Sequence, residues 1–133
     1  MKREIKFRYG YTNGKSWLFS VFTLEKIENG YATDALSDNA LLKGYKMATR
    51  DGFTGLKDKN GTEIYEGDIV QVEHADGSEF MGEDAAYTDQ VYFDTEDAMF
   101  AIRRPIGCDT LNTAMGKTVE VIGNIHQQPE LLP

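Results

Sequence analysis

Oxygen-bearing side chains at Asp58 and Asn60, followed by Gly61, come closest in this chain to a calcium-binding loop. That chemistry needs the spacing D-x-[DN]-x-[DN]-G and a two-oxygen glutamate at the twelfth position. The third ligand is missing, and Ile69 stands where the glutamate belongs. A tight hairpin turn explains the same residues with nothing bound. His74 and His126 are the only histidines. General acid–base work would need them brought together beside carboxylates. His126 follows an apolar run and reads as a cap on the core. Glu79, Glu83 and Asp84 could gather a divalent cation, but their spacing matches no two-metal pattern, and loop acids of this kind are usually solvated. Cys108 has no base nearby in sequence. Ser16, Ser20, Ser37 and Ser78 lack the strand–turn–helix context of an activated serine. Trp17, Phe19 and Phe22, with Lys15 and Lys26, have the composition of a stacking platform for single-stranded nucleic acid. As the aromatic core of a hairpin they need no ligand, and that is the favoured reading. No catalytic, cofactor-binding or metal-binding residue is therefore assigned.

The 133 residues suit one domain spanning 1–133. A composition 41% hydrophobic and 11% aromatic is enough for a packed core. One cysteine excludes an internal disulfide, and no Cys/His cluster offers a zinc site. No apolar run approaches the roughly 20 residues that cross a bilayer, and residues 1–8 are charged rather than signal-like. The expectation is a protein of a reducing cytoplasm with no membrane contact. Asn60-Gly-Thr62 matches a glycosylation sequon, which has no consequence there.

The net charge of −8 is unevenly spread. Between Lys59 and Arg103 there are twelve acids and no Lys or Arg. The first 59 residues carry eleven bases against seven acids, and the last 31 balance. An acidic stretch of that length disfavours nucleic acid along its own surface. Its simplest role is a solvated, solubilising face.

Short alternating runs punctuated by turns specify the elements that must position these residues. Ile5, Phe7 and Tyr9 alternate with charged neighbours, which predicts a strand over 3–9. Asn13-Gly14 predicts a turn with both central residues at positive φ, and residues 17–24 a second strand. Glu28-Asn29-Gly30-Tyr31 reads as a turn. Residues 33–42 are a loop or a short helix capped by Thr33 or Asp34. Residues 45–50 give a weak strand signal. Turns at 57–61 and 66–68 lead into a strand over 69–73. An acidic loop reaches from 76 to about 88; strands follow at 90–93, 99–103 and 118–122. Pro105-Ile106-Gly107 breaks the pattern, and residues 129–132 suit a final turn or helical cap. The pattern predicts a mainly β fold: antiparallel hairpins in a small, partly open SH3-like barrel, with short helical turns. Ile5, Phe7, Trp17, Phe19, Ile69, Val70, Val72, Val91, Phe93, Val119, Val121 and Ile122 are the expected core.

Three segments together resemble the YopX-like phage protein family. They are Arg3-Glu-Ile-Lys-Phe-Arg8; Thr54-Gly-Leu-Lys-Asp-Lys-Asn-Gly61 with Ile64-Tyr-Glu-Gly-Asp-Ile-Val70; and Val119-Glu-Val-Ile-Gly-Asn-Ile125 with Pro129-Glu-Leu-Leu132. They occur in the family's order and span nearly the whole chain. Tyr9-Gly10 stands where family members usually have an Ala-Trp pair, and segments 32–50 and 74–117 match no part of the pattern. The resemblance implies a phage or prophage gene in a bacterial host and a mostly β fold, and it brings no catalytic residues. The expected function is a non-enzymatic module that binds a host or phage protein. The alternatives are an acidic mimic of DNA, nucleic-acid binding through the basic N-terminal region, and a metal-dependent enzyme. Exposed strand edges leave a homo-oligomer open.

Overall fold

The computed structural model describes residues 4–31, 36–73, 86–96, 98–103, 108–110 and 118–132. The chain divides into two units, Met1–Gly55 and Leu56–Pro133. The first holds β1 (Lys6–Thr12), β2 (Trp17–Thr23), two one-turn helices, α1 (Leu24–Glu28) and α2 (Asp38–Leu42), and most of β3 (Lys46–Lys57). The second holds β4 (Glu63–Tyr65), β5 (Asp68–Glu73), β6 (Ala86–Asp94), β7 (Met99–Arg103), β8 (Cys108–Thr110) and β9 (Thr118–Asn124), then a 3-10 turn at Pro129–Leu131. One sheet has the order β2-β1-β3-β4 and the other β8-β7-β6-β5-β9. The mainly β, antiparallel, partly open fold expected from the sequence is present, and neither sheet closes on itself.

β1 and β2 form an unbroken ladder from Lys6↔Thr23 to Thr12↔Trp17. Their turn differs from the expectation. Gly14 has φ +89°, but Asn13 does not adopt positive φ. Asn13 Oδ1 instead accepts from the N–H groups of Lys15 and Ser16, and Thr12 Oγ1 from Gly14 N–H. Side-chain oxygens thus close a four-residue loop that a two-residue turn would otherwise make. The segment read as a turn at 28–31 is the end of α1. Thr23 caps that helix by accepting from Lys26 N–H, and Asn29 and Gly30 (φ +83°) terminate it. Ser37, not Thr33 or Asp34, caps α2, accepting from Ala40 N–H; those two residues lie outside the described ones.

In the second unit one sheet face is apolar. Val70 and Val72 of β5 lie across from Val121 and Val119 of β9. Val91 lies across from Ile102, and Phe93 across from Phe100. Ile64, Val70, Val72, Val91, Ile102 and Val119 form the buried cluster, with Leu56, Tyr87, Phe100 and Val121 packed on it. Each fully buried aliphatic side chain contributes roughly 2 kcal/mol through removal from water.

Three expected core residues are exposed. Ile5 is 48% accessible because β1 starts one residue later. Phe93 is 41% accessible at the turn end of β6, where it meets Phe100 edge-on at 5.2 Å. Ile122 is 36% accessible because it follows Val121 and so points away from the face that Val119 and Val121 share. It is also the extra residue of a bulge, since Val121 and Gly123 face Val70 and Ile69. Phe7, Trp17, Phe19 and Val121 are half-buried, and the other five expected residues are buried.

Candidate functional site

Asp58 is the centre of the chain's most distinctive local structure. It directly follows β3, and the residue is 7% accessible. Oδ1 accepts from Asn60 N–H at 2.8 Å and Thr62 N–H at 2.9 Å. Oδ2 accepts from Val121 N–H at 2.9 Å, 63 positions later in the chain. Backbone bonds reinforce the tie: Asp58 N–H donates to Thr62 O, and Lys59 N–H to Val119 O. Burial raises the Asp58 pKa, but the bonds from Val121, Thr62 and Asn60, with the nearby Lys59 charge, outweigh it and hold the carboxyl below its usual range. Three backbone donors fill most of the acceptor sites of this carboxylate, and the hairpin-turn account of Asp58, Asn60 and Gly61 fits the geometry.

The next turn repeats the device. Asp68, 1% accessible, accepts from Tyr65 N–H at 2.8 Å across Glu66-Gly67. Gly67 has φ +87°, which a side chain would resist. Its N–H donates to Val91 O, and its carbonyl accepts from Ile125 N–H. Asn124 in turn accepts from the N–H groups of His126 and Gln127. Residues 57–68 and 119–128 are therefore stitched together by Asp58 and by backbone bonds, while Asp68 and Asn124 brace the turn within each segment. The sequence marks the turns; it does not show that Asp58 reaches β9.

Lys59 and Glu120 sit beside this stitching, 3.1 Å apart, with side chains 45% and 39% accessible. They line a shallow, open depression with Gln71, Glu73 and Thr118. An ion pair so exposed contributes little. Lys59→Met is expected to change unfolding stability by no more than about 0.5 kcal/mol, read by urea denaturation.

Among the described residues no group of three or more His, Cys, Asp or Glu could hold a metal ion. His126 is half-buried in the turn after β9. His74, Ser78, Glu79, Glu83 and Asp84 lie outside the described residues. Seven acids of the 60–102 window are described. Glu73 and Glu96 are exposed, Asp68 is buried, and Glu63, Glu66, Asp89 and Asp94 are half-buried. Alternation along the ladder puts Asp89 on the apolar face of its sheet and Glu73 on the other. These seven do not make a single acidic face.

The aromatic residues of β2 divide between two faces. Trp17 and Phe19 stack with centroids 5.7 Å apart and planes 4° apart. Phe22 points the other way and meets Tyr9 edge-on at 5.5 Å. Tyr9 and Tyr11, which carry this second face, are 5% and 3% accessible. Burial and the neighbouring Tyr9 raise the Tyr11 pKa. Beside Phe19 the Arg8 guanidinium lies 5.5 Å from the ring and pairs with Asp51 at 3.0 Å. Arg8 and Asp51 are cross-strand neighbours on β1 and β3, a pairing that no local pattern in the sequence announces. The stacking platform weighed for Trp17, Phe19 and Phe22, and set below the hairpin-core reading, is thus not one surface.

The family model for the YopX protein matches residues 6–133. The chain belongs to the YopX family. Among solved structures it is similar to protein EF1440 from Enterococcus faecalis, with 22% identity over 97% of this chain and 98% of that one, at a TM-score of 0.46. No functionally curated protein matches the chain. Within this YopX family member, two of the three segments that carry the resemblance are those joined through the Asp58 side chain and the Gly67 backbone. The carboxylates of Asp58 and Asp68 hold backbone N–H groups.

Proposed function

We propose that this YopX-family protein is a non-enzymatic interaction module of phage or prophage origin, which acts in the cytoplasm of a bacterial host by binding a host or phage protein. The observation that carries this reading is the contrast between the signature and the surface. The buried polar side chains of the signature, Asp58, Asp68 and Asn124, are consumed internally, whereas large apolar side chains stand in water at one corner of the first unit. Leu41 and Leu42 on α2 are 55% and 87% accessible, and Met47 at the start of β3 is 61% accessible. Asn13 Nδ2 donates to Lys43 O, and Ser16 hydrogen-bonds Tyr45, so this corner is tied to the β1–β2 loop. Leu18, 42% accessible, flanks Tyr11 from β2 as Met47 does from β3. Grouped exposed apolar residues mark contact surfaces more often than singly scattered ones do. Leu41, Leu42 and Met47 lie between the segments that carry the signature, at 3–8 and 54–70, which suits a role in specificity.

No helix among the described residues is long and apolar enough to cross a membrane. The test is affinity capture of the tagged protein from host lysate, with and without nuclease, alongside the variant Leu42→Asp/Met47→Asp. A protein retained after nuclease treatment and lost by the variant is the expected result. A partner lost on nuclease treatment would replace this reading with nucleic-acid binding through the basic N-terminal region.

A further inference from the structure

β2 is the edge strand of its sheet. Its seven residues, Trp-Leu-Phe-Ser-Val-Phe-Thr, contain no charge, no proline and no bulge. Natural edge strands usually carry one of these guards against pairing with another chain. Leu24 N–H donates to Ile5 O just past the last ladder pair. In an antiparallel ladder that parity assigns the bonds with β1 to the even-numbered residues of β2. The N–H and C=O groups of Phe19 and Val21 therefore point away from β1. Among the described residues β2 pairs with no other strand.

We propose that this edge pairs with the same edge of a second copy of the chain, antiparallel and centred on Ser20. A two-fold axis there places Phe19 opposite the other copy's Val21 as bonded pairs, using the outward groups. It places Leu18 opposite Phe22 as the closer, non-bonded pairs. Every pair along the strand is uncharged, and Leu18 and Val21 are 42% and 44% accessible in the single chain. Beyond the strand, exposed Lys15 lies in the loop before β2 and exposed Glu25 on the first turn of α1 after it, so the antiparallel pairing brings opposite charges to each end and is charge-complementary as well as self-complementary. This goes beyond the partner-binding reading and does not depend on it, because it uses the backbone edge of β2; Leu18 is common to both surfaces, and Val21→Lys tests the edge alone.

The test is sedimentation of the full chain, with circular dichroism to confirm folding. Wild type is expected at twice the 15.0 kDa chain mass. Val21→Lys and Leu18→Lys, both at exposed positions, are expected to be folded monomers. Lys15→Glu or Glu25→Lys alone should weaken the dimer roughly tenfold, and Lys15→Glu/Glu25→Lys together should restore it. A wild type that stays monomeric up to about 1 mM would overturn the proposal. So would a dimer that survives Val21→Lys and Leu18→Lys, or a double reversal that fails to restore the wild-type constant.

Discussion

Asp58→Ala is expected to destabilise the second unit by about 4 kcal/mol in urea unfolding. The carboxylate accepts three backbone N–H bonds, and bonds to a charged group are worth roughly 1.5–3 kcal/mol each. Water can reach Asn60 and Thr62, which are exposed, so their donors are partly recovered. The N–H of half-buried Val121 is recovered less well. Asp58→Asn keeps an acceptor but loses the charge and should cost about 2 kcal/mol. Because folding lowers this pKa, the stabilisation is fully present above the unfolded value and is lost as pH falls through the folded one. The difference between wild type and Asp58→Asn should therefore be constant near neutrality and shrink below about pH 4. An Asp58→Ala variant within about 1 kcal/mol of wild type would contradict the role assigned to this carboxylate.

Gly10→Val should cost about 3 kcal/mol, measured by the same denaturation. A Cβ on Gly10 would lie 2.2 Å from Thr49 Oγ1 and 3.1 Å from both the Trp17 and Phe19 rings. Gly10 pairs with Phe19 on one side and Thr49 on the other, so the stacked Trp17–Phe19 pair lies over the glycine. Valine's added methyls have no space between these neighbours. The buried Thr49 hydroxyl makes no hydrogen bond, so Thr49→Ala alone should be nearly neutral. Combined with Gly10→Ala, it should recover at least half of that variant's loss by removing the nearest clash. Full additivity of the two changes would show that the close approach does not limit this site.

Turn chemistry made much of this architecture legible in the sequence. Asn13-Gly14, Asp58 to Gly61 and Glu66-Gly67-Asp68 each mark a real reversal, because Asn, Asp and Gly satisfy or relieve the backbone there. The apolar alternation of β5 and β9 placed Val70, Val72 and Val119 correctly. Ile122 is out of phase with Val119 and Val121, so counting it in the core on its apolar character alone ran against the same alternation. β3 was under-read. Asp51-Gly52 has turn composition, yet the strand runs through it, because Asp51 is held by Arg8 and Phe53 is buried. β6 begins at Ala86, inside what reads as acidic loop, since Tyr87 packs on the core. α1 and α2 span five residues each, too few to show a helical period. Site residues were visible as types but not in their roles, because Asp58–Val121 and Arg8–Asp51 are long-range contacts.

The central claim is that the YopX signature builds the fold and that exposed residues outside it make the contacts. The most direct measurement compares capture from nuclease-treated host lysate by wild type, by Leu42→Asp/Met47→Asp, and by Asp58→Asn confirmed folded by circular dichroism. The account predicts that Asp58→Asn retains the wild-type partner and the surface variant loses it. Loss by folded Asp58→Asn with retention by the surface variant would place function in the signature and contradict the account.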